Sequence, residues 1–174
     1  MQIERSNYID CDAMPDDCDI VQIKHDGHFA YIVVKGGVMR HYSRSGRLVR
    51  ELPVAMSDCV LLGEYIYGTE RSKNDSDAGK VVVFDCLQHQ RLDLRQRPYS
   101  ERLRAAAFAP VFEEDLFVLS IPQRPPMAWV MWEGMVTSGE REGLVYRRST
   151  DTFPGEVYRH KAEFDVTLRV VGYT

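Results

Sequence analysis

The tightest constraint on the fold is how apolar residues are parcelled along the chain. Runs of four to eight residues rich in β-branched and aromatic side chains recur, each closed by glycine, proline or polar turn residues. Runs this short suit strands better than helices. They fall at residues 20–23, 28–34, 38–42, 60–67, 81–84, 116–121, 143–146, 157–160 and 164–171. Between the second and third, Lys35-Gly36-Gly37 predicts a hairpin, because paired glycines accept the positive φ angles of a tight two-residue turn. Only two segments read as helix. One is 101–108, capped by Ser100, with Leu103 and Ala106 or Ala107 on one face; the other is 127–136, packed over a sheet. The polar stretch 71–80 and Pro122-Gln123-Arg124-Pro125-Pro126 read as loops. The expectation is an α+β fold of mostly antiparallel sheet with a few packed helices. A length of 174 residues suits one domain, 1–174.

Several function classes drop out. No run approaches the roughly 20 apolar residues of a membrane-spanning helix. The start, Met1-Gln2-Ile3-Glu4-Arg5-Ser6, lacks a signal peptide's apolar core, so a cytoplasmic protein without membrane contact is expected. Cys11, Cys18, Cys59 and Cys86 form no Cys-x-x-Cys pair and read as idle thiols in a reducing compartment. His25, His28, His41 and His160 form no spaced metal set, and the acidic stretch 10–19 lacks calcium-loop spacing and reads as a solvated face. A formal net charge of −4 argues against a broad basic footprint for nucleic acid. Any such contact is local, at Arg40, Arg44, Arg47 and Arg50 or at Arg147, Arg148, Arg159 and Lys161.

No Gly-x-x-x-x-Gly-Lys-Ser/Thr loop or Gly-x-Gly-x-x-Gly turn is present. A bound nucleotide would therefore rely on side-chain cations and a metal rather than a phosphate-cradling loop. Chemistry-bearing residues instead recur in order along the strands. Lys24-His25-Asp26-Gly27 follows the first apolar run, and Glu64 interrupts Leu61-Leu62-Gly63-Glu64-Tyr65-Ile66. A carboxylate inside such a strand is costly to bury unless it binds something. Phe84-Asp85 closes Val81-Val82-Val83, and Glu142 heads Gly143-Leu144-Val145-Tyr146-Arg147. Arg159-His160-Lys161 sets two cations at alternate positions, on one face of a strand.

This ordered series resembles the covalent nucleotidyltransferase superfamily of ATP-dependent DNA ligases, RNA ligases and mRNA capping guanylyltransferases, from about Gln22 to Tyr173. Arg159-His160-Lys161 with Asp165 and Val170-Val171-Gly172 looks like the family's last motif, and Arg97-Pro98-Tyr99-Ser100-Glu101-Arg102-Leu103 like the stretch after the third motif in DNA ligases. The resemblance implies a ligase-type, ATP-grasp-like nucleotidyltransferase domain in which Lys24 takes AMP covalently and passes it to a nucleic-acid 5′-phosphate at an end or nick. DNA is favoured over RNA. It implies ATP and Mg2+ (or Mn2+) as cofactors, with Glu142 holding the metal. The implied nucleotide-binding residues are Gln22, Ile23, Asp26, Arg44, Glu64, Phe84, Glu142, Arg159 and Lys161. Within that set Asp26 and Glu64 take the ribose, Phe84 stacks on the purine and Gln22 reads its edge.

The catalytic set is Lys24, Arg159 and Lys161. A lysine amine attacks only when neutral, a form that nearby cations favour, and Lys161, Arg159 and Arg44 are the candidates. The sequence departs from the pattern twice. Phe29 stands where DNA ligases usually carry arginine, and Arg159 replaces the first lysine of the last motif. The expectation is also of a domain without the oligonucleotide-binding fold that in ligases helps orient pyrophosphate. Two rival expectations follow: a GTP-dependent capping-type enzyme, or a non-catalytic nucleotide-binding subunit completed by a partner chain.

Overall fold

The computed structural model describes residues 3–67, 77–109, 115–138 and 142–162. In chain order the elements are β1 (Asn7–Asp10), β2 (Ile20–Lys24), β3 (His28–Lys35), β4 (Val38–Tyr42), β5 (Leu48–Pro53), β6 (Cys59–Tyr65), β7 (Val81–His89), β8 (Leu92–Asp93), α1 (Tyr99–Phe108), β9 (Phe117–Leu119), α2 (Pro125–Ser138), β10 (Gly143–Arg147) and β11 (Glu156–Lys161). They form two sheets. The smaller runs β1-β11-β10-β2; the larger runs β5-β4-β3-β6-β7-β8, with β9 on β7.

The β3–β4 hairpin turns through Gly36 and Gly37, with φ of 58° and 73°, as the paired glycines predict. Most pairings are antiparallel, but the sheets are mixed: β1 runs parallel to β11 and β9 parallel to β7. The acids of the N-terminal stretch are exposed, as the solvated-face reading expects. Three of them also make surface contacts with other strands and loops. Asp10 pairs with Arg159 and Asp17 with Arg148, and Asp19 accepts hydrogen bonds from the Ser149 backbone and hydroxyl, tying the segment to the chain's last described strands. The expected cap is also displaced. α1 begins at Tyr99 with Pro98 as N-cap and no side-chain cap bond, so Ser100 lies inside the helix. The expected strand at 164–171, most of the 71–80 loop, Asp165 and 170–172 lie outside the described residues.

Alternation along the strands assigns three apolar clusters. Ala30, Ile32, Leu61 and Val83 pack with Ala106 of α1 on one face of the large sheet. Val21, Leu144 and Tyr146 pack with Ala128 of α2 on one face of the small sheet. Val60, Leu62 and Leu87 gather around Phe153, with Phe29, Tyr31 and Phe84 against them, on the other face of the large sheet. That face and the free face of the small sheet border the cavity described next. Among the described residues, no helix is long and apolar enough to cross a membrane.

Candidate active site

β2 ends at Lys24, and the next three residues carry the chain into β3, from the small sheet to the large one. Gly27 makes this crossing possible. A Cβ there would meet the Tyr65 carbonyl oxygen at 2.6 Å and Glu64 Cγ at 2.7 Å, so only glycine lets the turn lie against β6. Lys24 and Glu64 are thereby brought together from two sheets.

On the small sheet Lys24, Gly143 and Lys161 pair directly across β2, β10 and β11. Gln22, Val145 and Arg159 form the next row on the same face. Gly143 sits at φ 145°, and a Cβ would come within 2.9 Å of Lys161 Cα. Glu142, just before it, is pinned by its carbonyl, which accepts the Ala162 N–H at 3.0 Å.

Gln22, Ile23, Lys24, Asp26, Arg44, Glu64, Phe84, Glu142 and Arg159 all line one cavity of about 920 Å3. That is ample for a nucleotide. Lys161 is exposed and does not line it, although strand register points it to the same face as Lys24. Ile23 points its side chain the other way by strand alternation, so it offers backbone to the cavity.

The partner of Lys24 differs from the sequence expectation. Its amine forms an ion pair with Glu142, rather than standing among cations. Glu64 lies beside this pair. Burial pushes its carboxyl up to about 7, Lys24 opposes the shift, and Glu142 adds to it. Among the described residues, no three His, Cys, Asp or Glu side chains cluster to hold a metal by themselves.

The far end of the cavity is built on a β-bulge. Leu62 pairs with Asp85 and Gly63 with Val83, leaving Phe84 as the extra residue, its ring turned to the cavity. Gln22 is 2 % exposed, not an exposed strand residue. Its Nε2 donates to the Ser120 carbonyl at 3.1 Å. The Tyr99 hydroxyl lies 2.7 Å from both Gln22 Oε1 and the Phe84 carbonyl, so its single hydrogen is shared between them. Beneath the bulge Asp85 accepts two bonds from Arg102, at 2.9 and 3.1 Å. Both side chains are all but fully buried, and this joins the third motif to the helix that follows it.

Sequence reading placed Arg147 in a basic cluster for nucleic acid and missed its place in the cavity. It is 6 % exposed and lines the cavity. Its guanidinium lies 5.4 Å from the Phe84 ring centroid and 4.7 Å from that of Tyr99. Its buried Nε has no hydrogen-bond partner. The signal was present: Arg147 continues the Gly143, Val145 alternation, so period two alone places it on the cavity face.

Solved structures of DNA ligases and ligase domains share this fold. The ligase domain of LigD from M. tuberculosis is 18% identical with a TM-score of 0.61, the match covering 90% of this chain and 59% of that one. A mycobacterial DNA ligase D complexed with ATP and MES is 16% identical with a TM-score of 0.62, over 90% of this chain and 60% of that one. The Chlorella virus DNA ligase-adenylate is 13% identical with a TM-score of 0.55, over 90% and 68%. The chain thus spans about three-fifths of the first two. No family model and no curated protein sequence matches it, so the likeness is one of fold.

Proposed function

We propose that this chain is the adenylating unit of a polynucleotide ligase: Lys24 takes AMP from ATP as a covalent adduct, and the AMP passes to a nucleic-acid 5′-phosphate, on DNA in preference to RNA. The observation that carries this is the convergence of Lys24, Glu64, Glu142, Arg159 and the Phe84 ring on one cavity, from strands of two sheets.

In this reading the purine lies against Phe84, with Gln22 and Arg147 at its edge and Asp26 and Glu64 at the ribose. Glu142, with Glu64 close by, suits a divalent ion that arrives on the triphosphate, since magnesium commonly takes one or two carboxylates and completes its shell with phosphate oxygens and water. Such an ion, magnesium or manganese, would offset charge on the phosphate oxygens. Engaged there, Glu142 releases Lys24, and the amine faces the α-phosphorus. Arg159 and Arg44 stabilise the charge that gathers on the phosphates, with Lys161 at the margin.

Incubation with α-labelled ATP and magnesium is expected to label the protein, and Lys24→Ala to abolish the label. Label that survives this substitution would refute the nucleophile assignment. One observation favours a second reading. Arg147 offers only donors, and an arginine fork matches the O6 and N7 acceptors of guanine. Label from GTP in place of ATP would make the protein a capping-type guanylyltransferase.

A further inference from the structure

A second hollow of about 660 Å3 adjoins the first and is lined by residues 3–8, Arg44, Pro154 and Arg159. Arg5, Tyr8, Arg44 and Arg159 line both cavities, so the two are continuous. Three arginines face one carboxylate, Glu4. Arg159 Nη2 meets Asp10 Oδ1 at 2.8 Å, and its guanidinium lies 5.2 Å from the Tyr8 ring centroid, while its buried Nε is unpartnered. Among the described residues, neither Arg5 nor Arg44 enters an ion pair. The hollow is therefore a cationic extension of the candidate nucleotide cavity, and half of it is built by the segment leading into β1.

Sheet order fixes its place. β1 lies three strand spacings from β2, about 14 Å across the sheet. By register Lys24, Arg159 and Tyr8 point to the same face along that path.

We propose that this hollow seats the β- and γ-phosphates of the bound nucleotide, and then the departing pyrophosphate, with Arg5 as the cation supplied by the N-terminal segment. The inference rests on Lys24 as the nucleophile. As the neutral amine forms its N–P bond to the α-phosphorus, the bridging P–O bond to the β-phosphate breaks. The electron pair leaves on pyrophosphate, and the proton left on nitrogen passes to water. In-line displacement sets the leaving oxygen opposite Nζ, so pyrophosphate departs away from β2, into space that is continuous with the hollow. There the charge meets Arg5 and Arg159 from one wall and Arg44 from the other.

The first test needs no nucleotide. Calorimetric titration of inorganic pyrophosphate into the full chain should show binding that Arg5→Ala weakens by about 10- to 100-fold, the loss expected for one charge-assisted hydrogen bond. Arg5→Lys should restore most of it, and because Arg5 is exposed the substitution spares the fold. Adduct formation from ATP, and its reversal by added pyrophosphate, should slow by a similar factor. Transfer of AMP from adduct already formed to a 5′-phosphorylated nick should change by less than about twofold. Pyrophosphate binding indifferent to Arg5→Ala overturns the proposal. So does a loss falling on transfer as heavily as on adduct formation, which would make the hollow the acceptor's phosphate site. A wild-type protein that binds pyrophosphate through Arg5 yet forms no adduct would sink the nucleophile assignment and leave this site standing.

Discussion

At Glu64 burial outweighs the pull of a neighbouring lysine. The carboxyl titrates near 4.5 when free and about 7 in the fold. Between those values the unfolded chain gives up a proton that the folded chain keeps, so stability falls as pH rises from about 4.5 to about 7 and then levels off. Glu64→Gln removes that penalty. Without nucleotide, it should melt above the wild type at pH 8 and level with it at pH 4. An equal gap at both pH values would mean that the buried charge is not the cause. Arg147 holds the same tension between stability and function. Replacing it with methionine removes an unpaired donor from between two rings, so melting temperature should hold or rise. ATP affinity should drop about tenfold, the worth of one hydrogen bond from a charged group. Calorimetry and melting curves with and without ATP read both effects. Glu64 could be picked from the sequence because a carboxylate inside an apolar run calls for an explanation, and Lys24, Phe84 and Glu142 because they fall in order with it in the motif series. Arg147 ends its run, where an arginine calls for none, and Arg5 gains meaning only from a strand pairing far away in sequence.

The elements that sequence reading caught are those that bury apolar side chains, on one face or on both. β3 alternates between buried and half-buried along its length, and such a pattern shows in a single strand. β5 escaped because it is an exposed edge, held by backbone pairing to β4 with scarcely a buried side chain. β1 escaped because its four residues are half polar and its partner is β11, near the other end of the described chain. The Phe84 bulge was equally hidden, since a register shift belongs to two strands at once. Behind it, the Asp85–Arg102 pair fixes α1 to β7. Arg102→Leu strands Asp85 without a counter-charge and should cost about 3–5 kcal/mol in urea unfolding. Asp85→Leu added to it should recover much of that loss, because two apolar side chains carry no unmet charge. A double variant no better than the single one would place the loss in packing.

Across the whole molecule, acids outnumber bases, yet the cavity mouth gathers Arg5, Arg44, Arg47 and Arg159. On the proposed function, nucleic acid should therefore be gripped at few points. A plot of log affinity for nicked DNA against log salt is expected to slope near −3, for about three or four phosphates neutralised. A slope near −10 would reveal a broad footprint that the net charge of −4 does not suggest. The Lys24–Glu142 ion pair has a consequence for the protein without nucleotide. Cyanate, aldehydes and acyl phosphates attack free amines, and a cell always contains some of them. On the proposed function, the nucleophile that awaits a nucleotide is the amine such scavengers find already engaged.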